Sequence, residues 1–404
     1  MGIDAGGFSG KRLQNVDAYL QRIVDAGEVA GAGASLFRHG LEAYCRSFGM
    51  RDRERGLPME NDTIYRIYSM SKTFTIVTAM SLYEKGLFKL HDPIAEFLPA
   101  FKDMQVAVHD ERGFRQIVPA KGPITFEQLF TMTSGIPYPG DDSFSGKFFK
   151  DLQSQASPEA AKTKGFSTAV AADTAAKVPL SFHPGECWMY GFSHDVLGRL
   201  IEVLSGKRLG EYMAEVIFEP LGLADTGFYV PAVKRGRLAK AYEPTAIGGP
   251  LGLREKKDLG DVPSAPPLFE SGGGGLMSTL GDLGRFGRML LGEGRLEGER
   301  VLSRKTVELI RENHILGRQN LPRFGFAHMA GYGYGLGVRT MQDTALAGLN
   351  GSPGEWAWDG MLGTWYCVDP AEDMVAVFMI QRYPGANENL PKRFMQAVYG
   401  AIDD

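Results

Sequence analysis

Apolar residues recur at helical spacing in Asn15 to Ala26, NVDAYLQRIVDA, where Val16, Leu20, Ile23 and Val24 share a face. The following GAGASLFRHGLEAYCRSFGMRD reads as two strands turning at Arg38-His39-Gly40, with Gly40 easing the turn. Ser69 to Lys85 is rich in Ala, Met and Leu and predicts a helix that Gly86 closes, with Lys85 near its negative end. Three later segments follow one grammar of apolar face and glycine stop. They are ITFEQLFTMTSGI (Ile124 to Ile136, capped by Thr125), DVLGRLIEVLSG (Asp195 to Gly206) and GDLGRFGRMLLG (Gly281 to Gly292). Strand character returns in YGYGLGV (Tyr332 to Val338), TWYCVDP (Thr364 to Pro370) and MVAVFMIQRY (Met374 to Tyr383), the last two joined by a turn at 369–373. PKRFMQAVYGAI (Pro391 to Ile402) predicts a closing helix with Pro at its first position. Residues 141–187 and 228–270 read as long loops, which in compact proteins often line binding sites.

Strands at both ends and helices between them predict a discontinuous α/β domain, residues 1–88 and 325–404. A mainly helical segment, 89–324, is inserted in it. The 404 residues are enough for a sizeable core, and no internal repeat or low-complexity tract interrupts them.

Composition removes several function classes. The chain is 44% hydrophobic and 23% charged, ordinary for a globular protein. A net charge of −4 without runs of one sign provides no footprint for nucleic acid and no polybasic membrane patch, so a small molecule is the expected partner. The sequence does not address oligomeric state. Three widely spaced cysteines, Cys45, Cys187 and Cys367, suit buried reduced thiols better than a disulfide framework. The N-terminal MGIDAGGFSGKRLQNVDAYL lacks the apolar stretch of a signal peptide, and no segment reaches membrane-spanning length. A cytoplasmic protein is expected.

Candidate chemistry narrows by elimination. There is no H-E-x-x-H and the seven histidines are scattered, so neither a metal nor another cofactor is expected. No phosphate-cradling G-x-x-x-x-G-K-[ST] and no G-x-S-x-G nucleophile elbow occurs. The run Gly272 to Gly275 lacks dinucleotide-binding spacing and reads as a place where two backbones approach closely. What remains is Ser69-x-x-Lys72 in YSMSKT. About one such spacing arises by chance in a chain this long. Its place at a helix start distinguishes it, because residues three apart share a face and the positive helix end favours a developing alkoxide.

A lysine of pKa about 10.4 is neutral in only about one molecule in 2,500 at pH 7, a deficit of about 4.6 kcal/mol. Either burial lowers the Lys72 pKa, or a tyrosine serves as the base with the ammonium beside it. HPGECWMYGFSHDVLG offers Tyr190, between a Pro-Gly turn and a helix start. Acyl transfer also needs N–H donors for an oxyanion, and WAWDGMLGTWYCVDP places Gly360 and Gly363 just before a strand.

With these pieces the chain resembles the serine β-lactamase and penicillin-binding-protein superfamily, most closely class C β-lactamases and family VIII carboxylesterases. Five segments carry the likeness in family order: YRIYSMSKTFTIVTAM, ITFEQLFTMTSGI, HPGECWMYGFSHDVLGRLIEVLSG, GGGGLMSTLGDLGRFGRMLL and WDGMLGTWYCVDP. The likeness implies an α+β fold of the β-lactamase/transpeptidase type. An antiparallel sheet built from both termini is flanked by helices, and the active site lies between it and the inserted helical domain. It implies that Ser69 is acylated, that Lys72 and Tyr190 handle the proton, and that the Ser69 and Met361 N–H groups form the oxyanion hole.

Two departures bear on substrate. Phe192 stands where class C enzymes carry the Asn of Tyr-x-Asn, and Trp358-Asp359-Gly360 replaces Lys-Thr-Gly. A pocket bounded by Phe192, Trp358, Asp359 and Gly360 lacks a cation for a β-lactam carboxylate, and an outward Asp359 would repel it. The expected function is hydrolysis of small neutral carboxylic esters through an acyl-Ser69 intermediate, with acyl transfer an extension of the same chemistry. The alternative is a β-lactamase or D-amino-acid peptidase of the same superfamily.

Overall fold

The computed structural model describes residues 5–109, 112–163, 165–245, 252–315, 329–385 and 389–404. Residues 246–251 of the expected loop 228–270 and the expected domain boundary near 325 lie outside them.

An eight-stranded antiparallel sheet draws on both ends of the chain. Its strands are β1 (Gly31–Arg38), β2 (Leu41–Asp52), β3 (Leu57–Pro58), β4 (Tyr332–Tyr334), β5 (Arg339–Met341), β6 (Trp356–Ala357), β7 (Trp365–Asp369) and β8 (Met374–Ile380), in the spatial order β4-β5-β6-β7-β8-β1-β2-β3. The central pair is in register from Ala32 opposite Ile380 to Arg38 opposite Met374. Both strands are buried along their whole length, because helices cover both faces.

Period-two alternation sorts the two cores. Met374, Ala376, Phe378 and Ile380 join Ala32, Ala34 and Leu36 under α1 (Gly10–Asp25) and the closing helix Asn389–Tyr399. Val375, Val377 and Met379 face the other way, into the larger core with α2 (Ser71–Glu84), α3 (Ser193–Ser205) and α4 (Leu280–Leu291). Helix α4 falls inside the segment that the sequence pattern groups as inserted, yet it lies on the sheet. Gly284 and Gly287 are the reason: any side chain there would run into the Phe37 ring and Val375. From residues 71 to 82 every side chain of α2 is buried, and Phe74 stacks on Phe286 of α4 with ring centroids 3.7 Å apart.

Several expectations need correction. The stretch 141–187 is not loop throughout, since Phe144–Thr163 and Thr168–Ala175 are helices. Alanines in PEAAKTKGFSTAVAADTAAK favour helix more than the scattered Ser and Gly oppose it, and Ser167 caps the second helix. The helix expected over Ile124 to Ile136 is only Phe126–Phe130, started by a Thr125–Gln128 capping box and followed by Met132 at φ 58°. No disulfide joins the three cysteines, and of them only Cys367 is fully buried. No helix among the described residues is long and apolar enough to cross a membrane.

Candidate active site

The segment carrying Ser69 descends from the short strand Tyr65–Arg66 through a single 3-10 turn, Tyr68–Met70, into α2. Tyr68 is held at φ 43°, a conformation costing a non-glycine residue on the order of 1–3 kcal/mol. The strain lies immediately before the serine. One turn on, the Lys72 ammonium is fully buried, 3.1 Å from Ser69 Oγ, and donates to the Gly273 carbonyl at 2.5 Å. The glycine run is therefore a close backbone approach, as its composition suggests, and also part of the site. Side chains at Gly272 and Gly273 would meet the His194 carbonyl and the Asp195 carboxylate. Asp195, in the first turn of α3, accepts from Ser271 Oγ at 2.5 Å and from the Gly273 N–H at 3.3 Å.

Burial pushes the Lys72 amine down to about 7, against the opposing pull of Asp195 and Asp359. Burial likewise raises the Asp195 carboxyl above its ordinary value. The downward shift of Lys72 is the one required for a lysine to act as a base near neutrality.

Tyr190 sits on the loop that enters α3. Its position depends on two chain segments zipped together, with Met189 N–H donating to the Met132 carbonyl at 2.9 Å and Gly185 N–H to the Thr133 carbonyl at 2.8 Å. Gly191 lies so close to the Ile136 carbonyl that no side chain fits. The Tyr190 oxygen accepts the Trp358 indole N–H at 2.9 Å, and the rings of the pair stack with centroids 5.4 Å apart. Lys72 Nζ lies 4.7 Å from the Tyr190 ring centroid and 5.7 Å from that of Tyr138. Burial raises the Tyr190 phenol well above its ordinary range; hydrogen bonds with Ser69, Trp358 and Tyr138 oppose it without prevailing.

The turn between β6 and β7 completes the site. Gly360 packs against the Ile67 carbonyl, two residues before Ser69, with no room for a side chain. Its N–H donates to the Thr364 carbonyl at 2.8 Å. Among the described residues neither the Ser69 N–H nor the Met361 N–H has an acceptor. A cavity of roughly 320 Å³ is bordered by Asp359, Gly360 and Met361, and another of roughly 350 Å³ by Tyr68, Ser271 and Gly274.

The structure brings Ser69, Lys72, Tyr190, Trp358 and Gly360 together. Phe192 and Trp358, read from sequence as pocket walls, are both buried. Phe192 packs edge-on against Phe149 and Tyr138 in the core. Trp358 is clamped between Tyr190 and an edge contact with Tyr334, so it supplies an N–H rather than an open apolar face. Asp359 is not a bare anion, because Arg339 Nη1 meets its Oδ1 at 2.7 Å. Sequence reasoning passed over Tyr138, Asp195, Ser271 and Arg339. Only Tyr138, a tyrosine between two prolines in IPYP, left a local signal of a rigid loop.

Arg339 is 7% exposed and Asp359 41%, so neutralising the aspartate strands a buried cation. Asp359→Asn should lower unfolding stability by about 1–2 kcal/mol, a value discounted for the exposed partner. Urea titration of the two proteins reads this directly. An unchanged midpoint would show that the aromatic rings around Arg339 suffice to hold it.

A serine, a lysine one turn on and a tyrosine, set beside a turn between two strands of an antiparallel sheet, are the arrangement of the serine β-lactamase superfamily. The sequence profile of the Beta-lactamase family matches residues 16–399, and the chain belongs to that family. Protein Rv1367c of Mycobacterium tuberculosis is 34% identical over 380 residues, 92% of this chain and 90% of that one. Esterase EstB of Burkholderia gladioli is 27% identical over 400 residues, 95% of this chain and 94% of its own. The solved structure of EstCE1, a hydrolase with promiscuous acyltransferase activity, shares the fold with a TM-score of 0.77 at 24% identity, covering 96% of this chain and 98% of that one.

Proposed function

We propose that this protein is a serine esterase that cleaves small carboxylic esters through an acyl-Ser69 intermediate, and that the acyl group passes to water or to an alcohol. The observation that carries the reading is the buried Lys72 amine, 3.1 Å from Ser69 Oγ and pushed down to about 7 by burial. In this reading neutral Lys72 takes the Ser69 proton as Oγ attacks the ester carbonyl. The protonated Tyr190 phenol, already linked to Ser69, gives a proton to the leaving alkoxide, and Lys72 replaces it. The carbonyl oxygen takes the Ser69 and Met361 N–H groups. Deacylation runs the same steps with water or an alcohol as the attacking group.

The likeness to EstB and EstCE1 supports ester chemistry of this kind. No lysine stands at position 358, where Trp358 is buried with its N–H on Tyr190, and the Asp359–Arg339 pair supplies no free cation beside Gly360, which favours an uncharged group there. Short p-nitrophenyl esters and nitrocefin, assayed side by side on the full chain, test this. The esters should turn over with a kcat/KM at least a hundredfold above nitrocefin. A preference for nitrocefin would replace the esterase reading with the β-lactamase one.

A further inference from the structure

A second feature of the nucleophile strand has no role in this chemistry. Arg66 precedes Ser69 by three residues, on a two-residue strand paired with Met277–Ser278. Its guanidinium is partly buried and donates to the Gly260 carbonyl at 3.3 Å. Arg235 donates to the Val262 carbonyl at 2.7 Å. Among the described residues neither arginine has a carboxylate within ion-pair distance; Arg66 lies in the field of Arg235 and in the opposing fields of Asp261 and Glu255. Two like charges brought together repel, and an anion bound directly between them would offset that repulsion more closely than carboxylates beyond ion-pair distance.

Both arginines border a polar cavity of roughly 390 Å³, whose lining has six basic side chains and three acidic ones. Two of the acids are already engaged, Glu255 and Asp52 by Lys240 at 3.1 and 3.3 Å. Asp261 is the remaining one. Arg66, Gly260, Asp261 and Val262 are shared with the 350 Å³ cavity that reaches Tyr68, Ser271 and Gly274 beside the nucleophile. The rest of that cavity's lining is largely apolar, with Phe228, Pro263, Pro267, Phe269 and Leu276. We propose that Arg66 and Arg235 form an anion subsite, and that the preferred ester carries a carboxylate at the far end of an apolar chain. The subsite specifies the substrate of the acyl-Ser69 reaction and rests on that reading. The group beside Gly360 and Met361 stays uncharged.

Mono-p-nitrophenyl adipate and suberate, compared with the hexanoate and octanoate, test it on the full chain. Wild type should prefer the acid esters at one or both lengths. Arg66→Gln and Arg235→Gln should each lower kcat/KM for the acid esters tenfold to a hundredfold, the range of a charge-assisted hydrogen bond. Turnover of the neutral esters should stay within twofold. Asp261→Asn should improve the acid esters, because it removes a like charge. Equal losses on acid and neutral esters, or a wild-type preference for the neutral ester at both lengths, would overturn the subsite. The acyl-Ser69 reading is tested separately by Ser69-dependent turnover of the neutral esters. Calorimetric binding of free adipate, present in wild type and lost in Arg66→Gln, reads the subsite without turnover, and no binding to wild type counts against it.

Discussion

Ser69→Ala should reduce ester turnover about ten-thousandfold or more, the loss seen when a nucleophile is removed from a unit that works as a whole. The wild-type chain, quenched during turnover of a slow ester, should gain the mass of one acyl group, and the variant should gain none. The fold should survive, because the Ser69 hydroxyl serves the site rather than the core: its partners are Lys72 Nζ and the Tyr190 phenol. The strained φ at Tyr68 belongs to the backbone and should persist without the hydroxyl. Retention of more than a tenth of wild-type activity, in protein free of wild-type contamination, would remove Ser69 from the mechanism.

The second large effect is on pH dependence. With the Lys72 amine near 7, the fraction able to accept the serine proton falls as pH drops, so kcat/KM should fall tenfold per pH unit below about 7. Lys72→Met should lower kcat/KM at pH 7.5 by about a thousandfold, within the span of general-base losses, and abolish this limb. Tyr190→Phe should cost about a hundredfold or more yet keep the limb, because burial holds that phenol protonated across the range. Were Tyr190→Phe to abolish the limb instead, the titrating base would be the tyrosine.

Stability has a matching sign. The folded Lys72 pKa lies below its unfolded value of about 10.4, so between about pH 7 and 9 the unfolded chain binds the extra proton. This residue's contribution to stability therefore rises with pH across that window. In Lys72→Met the melting temperature should lose that part of its slope.

The reason some of this was legible in the sequence lies in how local each signal is. The Ser69–Lys72 spacing is a helix property, set by one turn of α2, and a single chain segment contains it entirely. The β7–β8 pair was legible because buried strands of both faces read as continuous apolar runs around one turn. Tyr190 was legible through a Pro-Gly turn and a helix start that flank it. In contrast, Asp359 read as an exposed repelling charge because its partner, Arg339, is twenty residues away on a neighbouring strand. Trp358 read as an open wall because nothing in its own segment shows that Tyr190, 168 residues earlier, would take its N–H.

Residue order along the chain thus specified the candidate nucleophile, the lysine beside it and the alternation that builds the sheet, since each depends on neighbours within a turn or a hairpin. The charge states followed only from packing. The Lys72 pKa falls to about 7 because α2 is buried on every side, and Asp359 is paired because β5 brings Arg339 to it. Desolvation and ion pairing act through space between segments up to about two hundred residues apart, as the Lys72–Gly273 contact does, and no spacing within one segment encodes them.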